Sequence, residues 1–99
     1  ALERPRHDSG ATPLYIAAQK GYQEVVKVLA EYGADTDTVA LNHGATPLYV
    51  AAQNGHESVA RMLLEVGAKR DTGRTDTGAR PLHAAAQFGH EGVVTALLE

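Results

Sequence analysis

Apolar and polar positions along this chain follow a helical rhythm that returns in register. Val25, Val26, Val28, Leu29 and Tyr32 recur as Val59, Ala60, Met62, Leu63 and Val66, the spacing of one face of a helix. Lys27 with Glu31, and Glu57 with Arg61 and Glu65, lie four apart on the other side. They read as a water-facing surface supported by side-chain pairs worth about 0.3 kcal/mol each, a docking strip being the alternative. A shorter apolar stretch precedes each of these segments: PLYIAA from Pro13, PLYVAA from Pro47 and PLHAAA from Pro81. Thr12 and Thr46 stand before the first two prolines, where a hydroxyl accepts from an orphan N–H at a helix start. Proline fits the first helical position, where its missing N–H costs nothing. Gly21, Gly55 and Gly89 each fall 8 residues after a proline and suit the left-handed conformation that stops a helix. The pattern predicts a first helix of about two turns, then a second helix at once, ended by Gly33 and Gly67. Arg80 replaces the threonine before Pro81, so the third start is expected to lack its side-chain cap, at about 1 kcal/mol.

The segments belong to one repeating unit. Residues 11–44 and 45–78 match at 17 of 34 positions without a gap, prolines and glycines included, which excludes a chance alignment. Residues 79–99 form a third, truncated unit, and 1–10 a lead-in, all within one domain. Between the units, Asp35-Thr36-Asp37-Thr38 and Asp71-Thr72-Gly73-Arg74-Thr75-Asp76 are rich in turn formers. They predict hairpin-like connectors, with short pairings over 34–44 and 68–78 as the only sheet. The paired alanines Ala17-Ala18, Ala51-Ala52 and Ala85-Ala86 let a short helix sit close to its neighbours. One unit cannot bury Leu14, Val25 and Leu29 alone, whereas stacked units can. The expected class is therefore all-α, a solenoid of helix pairs.

The string T-P-L-Y-[IV]-A-A-Q-x-G, followed by [YH]-x-x-V-x-x-x-L-x-E-x-G-A, resembles the ankyrin repeat, over about Asp8 to Glu99. The resemblance implies antiparallel helix pairs, each followed by a β-hairpin loop at right angles, stacked into a slightly curved, L-shaped slab. It also implies a protein-recognition surface made of hairpin tips and the exposed side of the first helices. The family period is about 33, so each connector here carries one extra residue. The family's TPLH histidine is kept as His83 and replaced by Tyr15 and Tyr49. Its GH histidine is kept as His56 and His90 and replaced by Tyr22.

Composition narrows the function further. With 9 basic and 12 acidic residues the net charge is −3, and no basic stripe suited to nucleic acid is visible. There is no cysteine, hence no disulfide framework and no thiolate zinc site; this fits the cytoplasm or another reducing compartment. No apolar run approaches the length of a membrane span, and residues 1–10 lack the apolar stretch of a secretory signal. Of the five histidines, His56, His83 and His90 sit at repeat-signature positions, so a metal site is not expected. Ser9 and Ser58 have no adjacent base, and no phosphate-cradling motif is present. The expectation is a protein without enzymatic activity or cofactor.

What varies between units is then the candidate site. After each alanine pair come Gln19-Lys20, Gln53-Asn54 and Gln87-Phe88, on the side that the resemblance marks as binding. Phe88 holds the slot of Lys20 and Asn54, so it is expected to be exposed, as an aromatic anchor. Loop tips near Leu41, His43, Arg74 and Asp76 complete the predicted protein-binding surface. Leu41 either contacts a partner or pins its own connector. The alternative class is a structural or engineered repeat scaffold whose property is stacking. Under either class, Val93, Val94, Ala96, Leu97 and Leu98 of the last helix are expected to lie uncovered and to drive self-association through residues 91–99.

Overall fold

The computed structural model describes residues 11–40 and 43–99. Among these residues there are six helices and no strand: α1 Pro13–Lys20, α2 Gln23–Glu31, α3 Pro47–Gln53, α4 Glu57–Glu65, α5 Pro81–Gln87 and α6 Glu91–Leu98. The helices start where the caps predict. Thr12 Oγ1 accepts the Tyr15 N–H at 3.2 Å and Thr46 Oγ1 the Tyr49 N–H at 3.1 Å. Both threonines are buried, so no water would take over these bonds. Arg80 has no acceptor to offer. There His83 Nδ1 reaches back and accepts the Arg80 N–H at 3.1 Å, the reverse half of a capping box.

The first helices also stop where the glycines stand. Gly21 adopts φ 77°, and the Tyr22 N–H turns back to the Ala17 carbonyl at 2.9 Å. His56 to Ala51 and His90 to Ala85 repeat that bond at 2.9 Å. A left-handed residue here closes one helix and launches the next without a linker, because the chain reverses within two residues.

The connectors are simpler than expected. The predicted hairpin pairings over 34–44 and 68–78 form no strand among the described residues. Each shrinks to one closed loop, with the Ala40 N–H on Ala45 O at 3.0 Å and the Gly44 N–H on Ala40 O at 2.8 Å. Arg74, Gly78 and Ala79 reproduce it at 2.8 Å for both bonds.

Helices α1, α3 and α5 form one layer and α2, α4 and α6 a second, each helix touching its predecessor and successor within its layer. The core between the layers is built from Leu14, Leu48, Leu63, Val26 and Val59, with the alanines at 17, 18, 51, 52, 84 and 85. Equivalent positions reveal which side of each unit faces which neighbour. Val25 is 46% exposed, whereas Val59 and Val93 are each 1% exposed; this column is covered by the preceding helix pair. Ala18 and Ala52 are fully buried while Ala86 is exposed; that column is covered by the following pair.

This corrects the expectation for the last helix. Val93, Ala96 and Leu97 are buried against the second unit, and Val94 is partly buried. Of the α6 residues expected to be open, Leu98 alone is exposed. The larger apolar face lies at the other end of the stack, where Tyr22, Val25, Val28 and Tyr32 are exposed.

Candidate functional site

The ends of the first helices form a continuous row. Gln19 and Lys20 close α1 and are exposed, Asn54 follows α3, and Gln87 and Phe88 close α5. Gln53 is half-buried. The row is tied together through backbone carbonyls. Asn54 Nδ2 donates to Gln19 O at 3.0 Å, and His56 Nε2 lies 2.9 Å from the same oxygen. A carbonyl only accepts, so His56 carries its proton on Nε2. His90 Nε2 donates to Gln53 O at 3.0 Å in the same way. Asn54 is therefore committed to the fold as well as exposed. Phe88, in its place one unit on, has nothing to donate. Its ring lies on His90, centroids 6.4 Å apart and planes 29° from parallel, and it remains 52% exposed. The expected exposure of Phe88 is what the structure has, with His90 as its support.

A second group gathers at the loops. His43 Nδ1 accepts the Ala45 N–H at 3.1 Å. That nitrogen is unprotonated, so Nε2 holds the proton and donates to the Tyr15 hydroxyl oxygen at 3.4 Å. In the next connector Thr77 Oγ1 does the work of His43 Nδ1, accepting the Ala79 N–H at 3.2 Å. Arg74 forks onto Asp76, Nε to Oδ1 at 2.9 Å and Nη2 to Oδ2. Its guanidinium also lies 5.5 Å from the centre of the Tyr49 ring, within cation–π range. Hydrogen bonds from Arg74 hold the Asp76 carboxyl below the usual carboxylate range. The same bonds raise the guanidinium further above its ordinary value. Burial pushes the Tyr15 hydroxyl up, with the charge of Arg74 opposing. Arg74 and Asp76 thus form a neutralised pair, with the guanidinium over an aromatic ring.

The predicted residues accordingly fall into two groups. Gln19, Lys20, Gln53, Asn54, Gln87 and Phe88 share the helix-end row, in which Asn54 and His56 bond to Gln19, and His90 bonds to Gln53 and stands beside Phe88. His43, Arg74 and Asp76 share the loops, anchored by Tyr15 and Tyr49. Leu41 lies outside the described residues. Tyr15 and Tyr49 were missed as part of the site. Their repetition where the third unit has His83 was the available signal, since an aromatic hydroxyl reaches further than an imidazole and meets the connector. Among the described residues no group of three or more His, Cys, Asp or Glu side chains is arranged to hold a metal ion. No described helix is long and apolar enough to cross a membrane.

The sequence matches the family model described as Ankyrin repeats (3 copies), over residues 2–74 and again over 39–99. No curated protein matches it.

Proposed function

The chain belongs to the ankyrin-repeat family, whose repeats generally serve as protein–protein interaction modules, and on that footing we propose that its partner is a protein seated across the helix-end row and the adjoining loops. The observation that carries the reading is Phe88. The fold asks for no aromatic residue in this slot, since Lys20 and Asn54 fill it elsewhere. Yet here a half-exposed ring stands beside the His90 imidazole, inclined to it by 29°. Rigid aromatic side chains with one face free supply contact area at little entropic cost, and they dominate binding hot spots. Exposed amides on either side provide hydrogen-bonding capacity, and the Arg74–Asp76 fork presents a polar rim of no net charge. The amides and Phe88 sit at the ends of short helices, and the fork is braced on its loop by Tyr49, so little is lost to ordering on binding. No reacting group, cofactor or catalytic role is needed.

The test is a comparison of cross-linking positions. A photoreactive residue is placed at 19 or 88, and separately at 27 on the exposed side of α2, in extract from the cell of origin. One discrete adduct from 19 and 88, absent from 27, is the expected outcome. Adducts confined to position 27 overturn the assignment of the face. With the adduct identified, Phe88→Ala is expected to weaken its binding by about 1–3 kcal/mol, and an unchanged Kd removes Phe88 from the site.

A further inference from the structure

Of the asparagines Asn42 and Asn54, Asn54 is the one followed by glycine. An Asn-Gly pair carries its own reagents. The next backbone nitrogen lies within reach of the side-chain amide, and glycine has no side chain to hinder the approach. Asparagine is for such reasons a thermolabile residue. Lys20 and Phe88 hold this slot in the other units, so the chemistry belongs to the middle unit.

In the folded chain both reacting groups are held, and by different neighbours. Asn54 Nδ2 donates to Gln19 O of the first unit at 3.0 Å, which fixes the amide. The Gly55 nitrogen donates to Ala52 O at 3.3 Å. From the third unit the His90 ring lies over Gly55, so close that a methyl there would stand 2.6 Å from Nδ1. His90 is itself tied to Gln53 O at 3.0 Å. The backbone between the two groups is also set against reaction. At ψ 0° for Asn54 the Gly55 nitrogen eclipses the Asn54 nitrogen, whereas closing an imide ring needs it eclipsed with Cβ. Asn54 is nonetheless exposed, so water reaches it once the turn rotates.

We infer that Asn54 is a modification site, whose amide is lost when the stack opens around it. After rotation about ψ, the Gly55 nitrogen gives its proton to solvent base and attacks Asn54 Cγ. The N–Cγ bond forms, the Cγ–Nδ2 bond breaks, and Nδ2 leaves as ammonia with a proton from water. The succinimide takes up water at either carbonyl, which breaks a ring C–N bond and leaves aspartate or isoaspartate. Nothing is oxidised or reduced, and water is the co-reactant. Reclosing outpaces this slow chemistry, so the rate follows the population of the open form. The product does not remake the junction. A carboxylate has no hydrogen to donate to Gln19 O, and it adds negative charge at the end of α3, where helix carbonyls converge. Isoaspartate also lengthens the backbone inside the turn. Each loss therefore favours further opening of the same junction. The reaction needs no partner, so it stands apart from the role proposed for the row.

The full chain is incubated at mildly alkaline pH, folded or in urea, and then digested. Mass spectrometry reads the exchange of amide for acid at residue 54. Asn54 is expected to convert in urea, and at least about tenfold more slowly in the folded chain. His90→Ala frees Gly55 and is expected to raise the folded rate by about tenfold. Thr46→Ala weakens α3 at its far end and is expected to raise the rate less. Urea unfolding establishes that both variants are folded under the incubation conditions. Asn54→Asp is expected to have a lower urea midpoint than Asn54→Ala, because it adds a carboxylate where alanine only removes a donor. No conversion in the urea-unfolded chain overturns the inference, and so do equal rates in the folded and unfolded chain. It is likewise overturned by a Thr46→Ala rate that matches that of His90→Ala, or by an Asn54→Asp midpoint at or above that of Asn54→Ala.

Discussion

His56 caps the helix of the neighbouring unit: its Nε2 donates to the Gln19 carbonyl at 2.9 Å, while its ring lies on Gly21. A carbonyl at the end of α1 has no partner within its own helix, so the next unit supplies one. His56→Ala removes a hydrogen bond together with the cover over Gly21. It is expected to lower stability by about 1–2 kcal/mol, read as a shift of the urea midpoint without a change in slope. Asn54→Ala should cost less, because His56 still satisfies the same oxygen.

The starts of α1, α3 and α5 offer a matched comparison. Thr46→Ala deletes a buried cap and is expected to cost about 1–2 kcal/mol. Arg80→Thr is expected to stabilise by about 1 kcal/mol, because a hydroxyl at 80 supplies the missing half of the box whose other half is already made by His83. Thermal or urea denaturation of both variants checks the pair, and a destabilising Arg80→Thr would show that the arginine makes a contact of its own.

Much of this architecture was legible in the residues. Thr-Pro at 12–13 and 46–47, and glycine at 21 and 55, mark helix boundaries because each satisfies or spares a particular backbone group. The exposure of Phe88 followed from Lys20 and Asn54 in equivalent slots. What was not legible is the direction of burial. Val25 and Val26 are neighbours on the apolar side of α2, yet Val25 is exposed and Val26 buried. Helical spacing names a face, but that face is divided between two neighbours, and only the stack shows which neighbour covers which column. For the same reason the last helix looked open from its sequence, whereas the larger open face is at Tyr22 and Val25. The grip of Arg74 on Tyr49 and Asp76 was hidden because it depends on how each loop folds back.

Gly92 sits inside α6, where alanine is favoured by about 1 kcal/mol. The new methyl would meet the Glu57 carboxylate, which is the far end of a flexible, half-exposed side chain. Moving it gives up the Arg61 pair, worth about 0.5 kcal/mol at such a surface. Gly92→Ala is therefore expected to stabilise by about 0.5 kcal/mol. The double variant with Glu57→Ala should show no further steric loss at position 92, and a double-mutant cycle of unfolding free energies measures the coupling.

The Asp76 carboxyl titrates lower than an ordinary aspartate because Arg74 binds its charged form. A carboxyl depressed in the folded state contributes stability above its unfolded value, about 3.9, and loses it as the pH falls through the lower folded value. Carboxyl-carbon NMR should show Asp76 still ionised when exposed aspartates are half-protonated. Arg74→Ala should return it to the ordinary range. An unshifted Asp76 in the unaltered protein would show that the fork does not persist in solution.

The most direct measurement of a stack of equivalent units is made on its glycines. In a dilute sample, NMR should show nuclear Overhauser contacts from the His56 ring to the Gly21 α-protons and from the His90 ring to those of Gly55, with ring-current shifts at both. Gly89 should show no contact from an imidazole of another unit. Absence of the contacts at both Gly21 and Gly55 would contradict the stacking of these helix pairs.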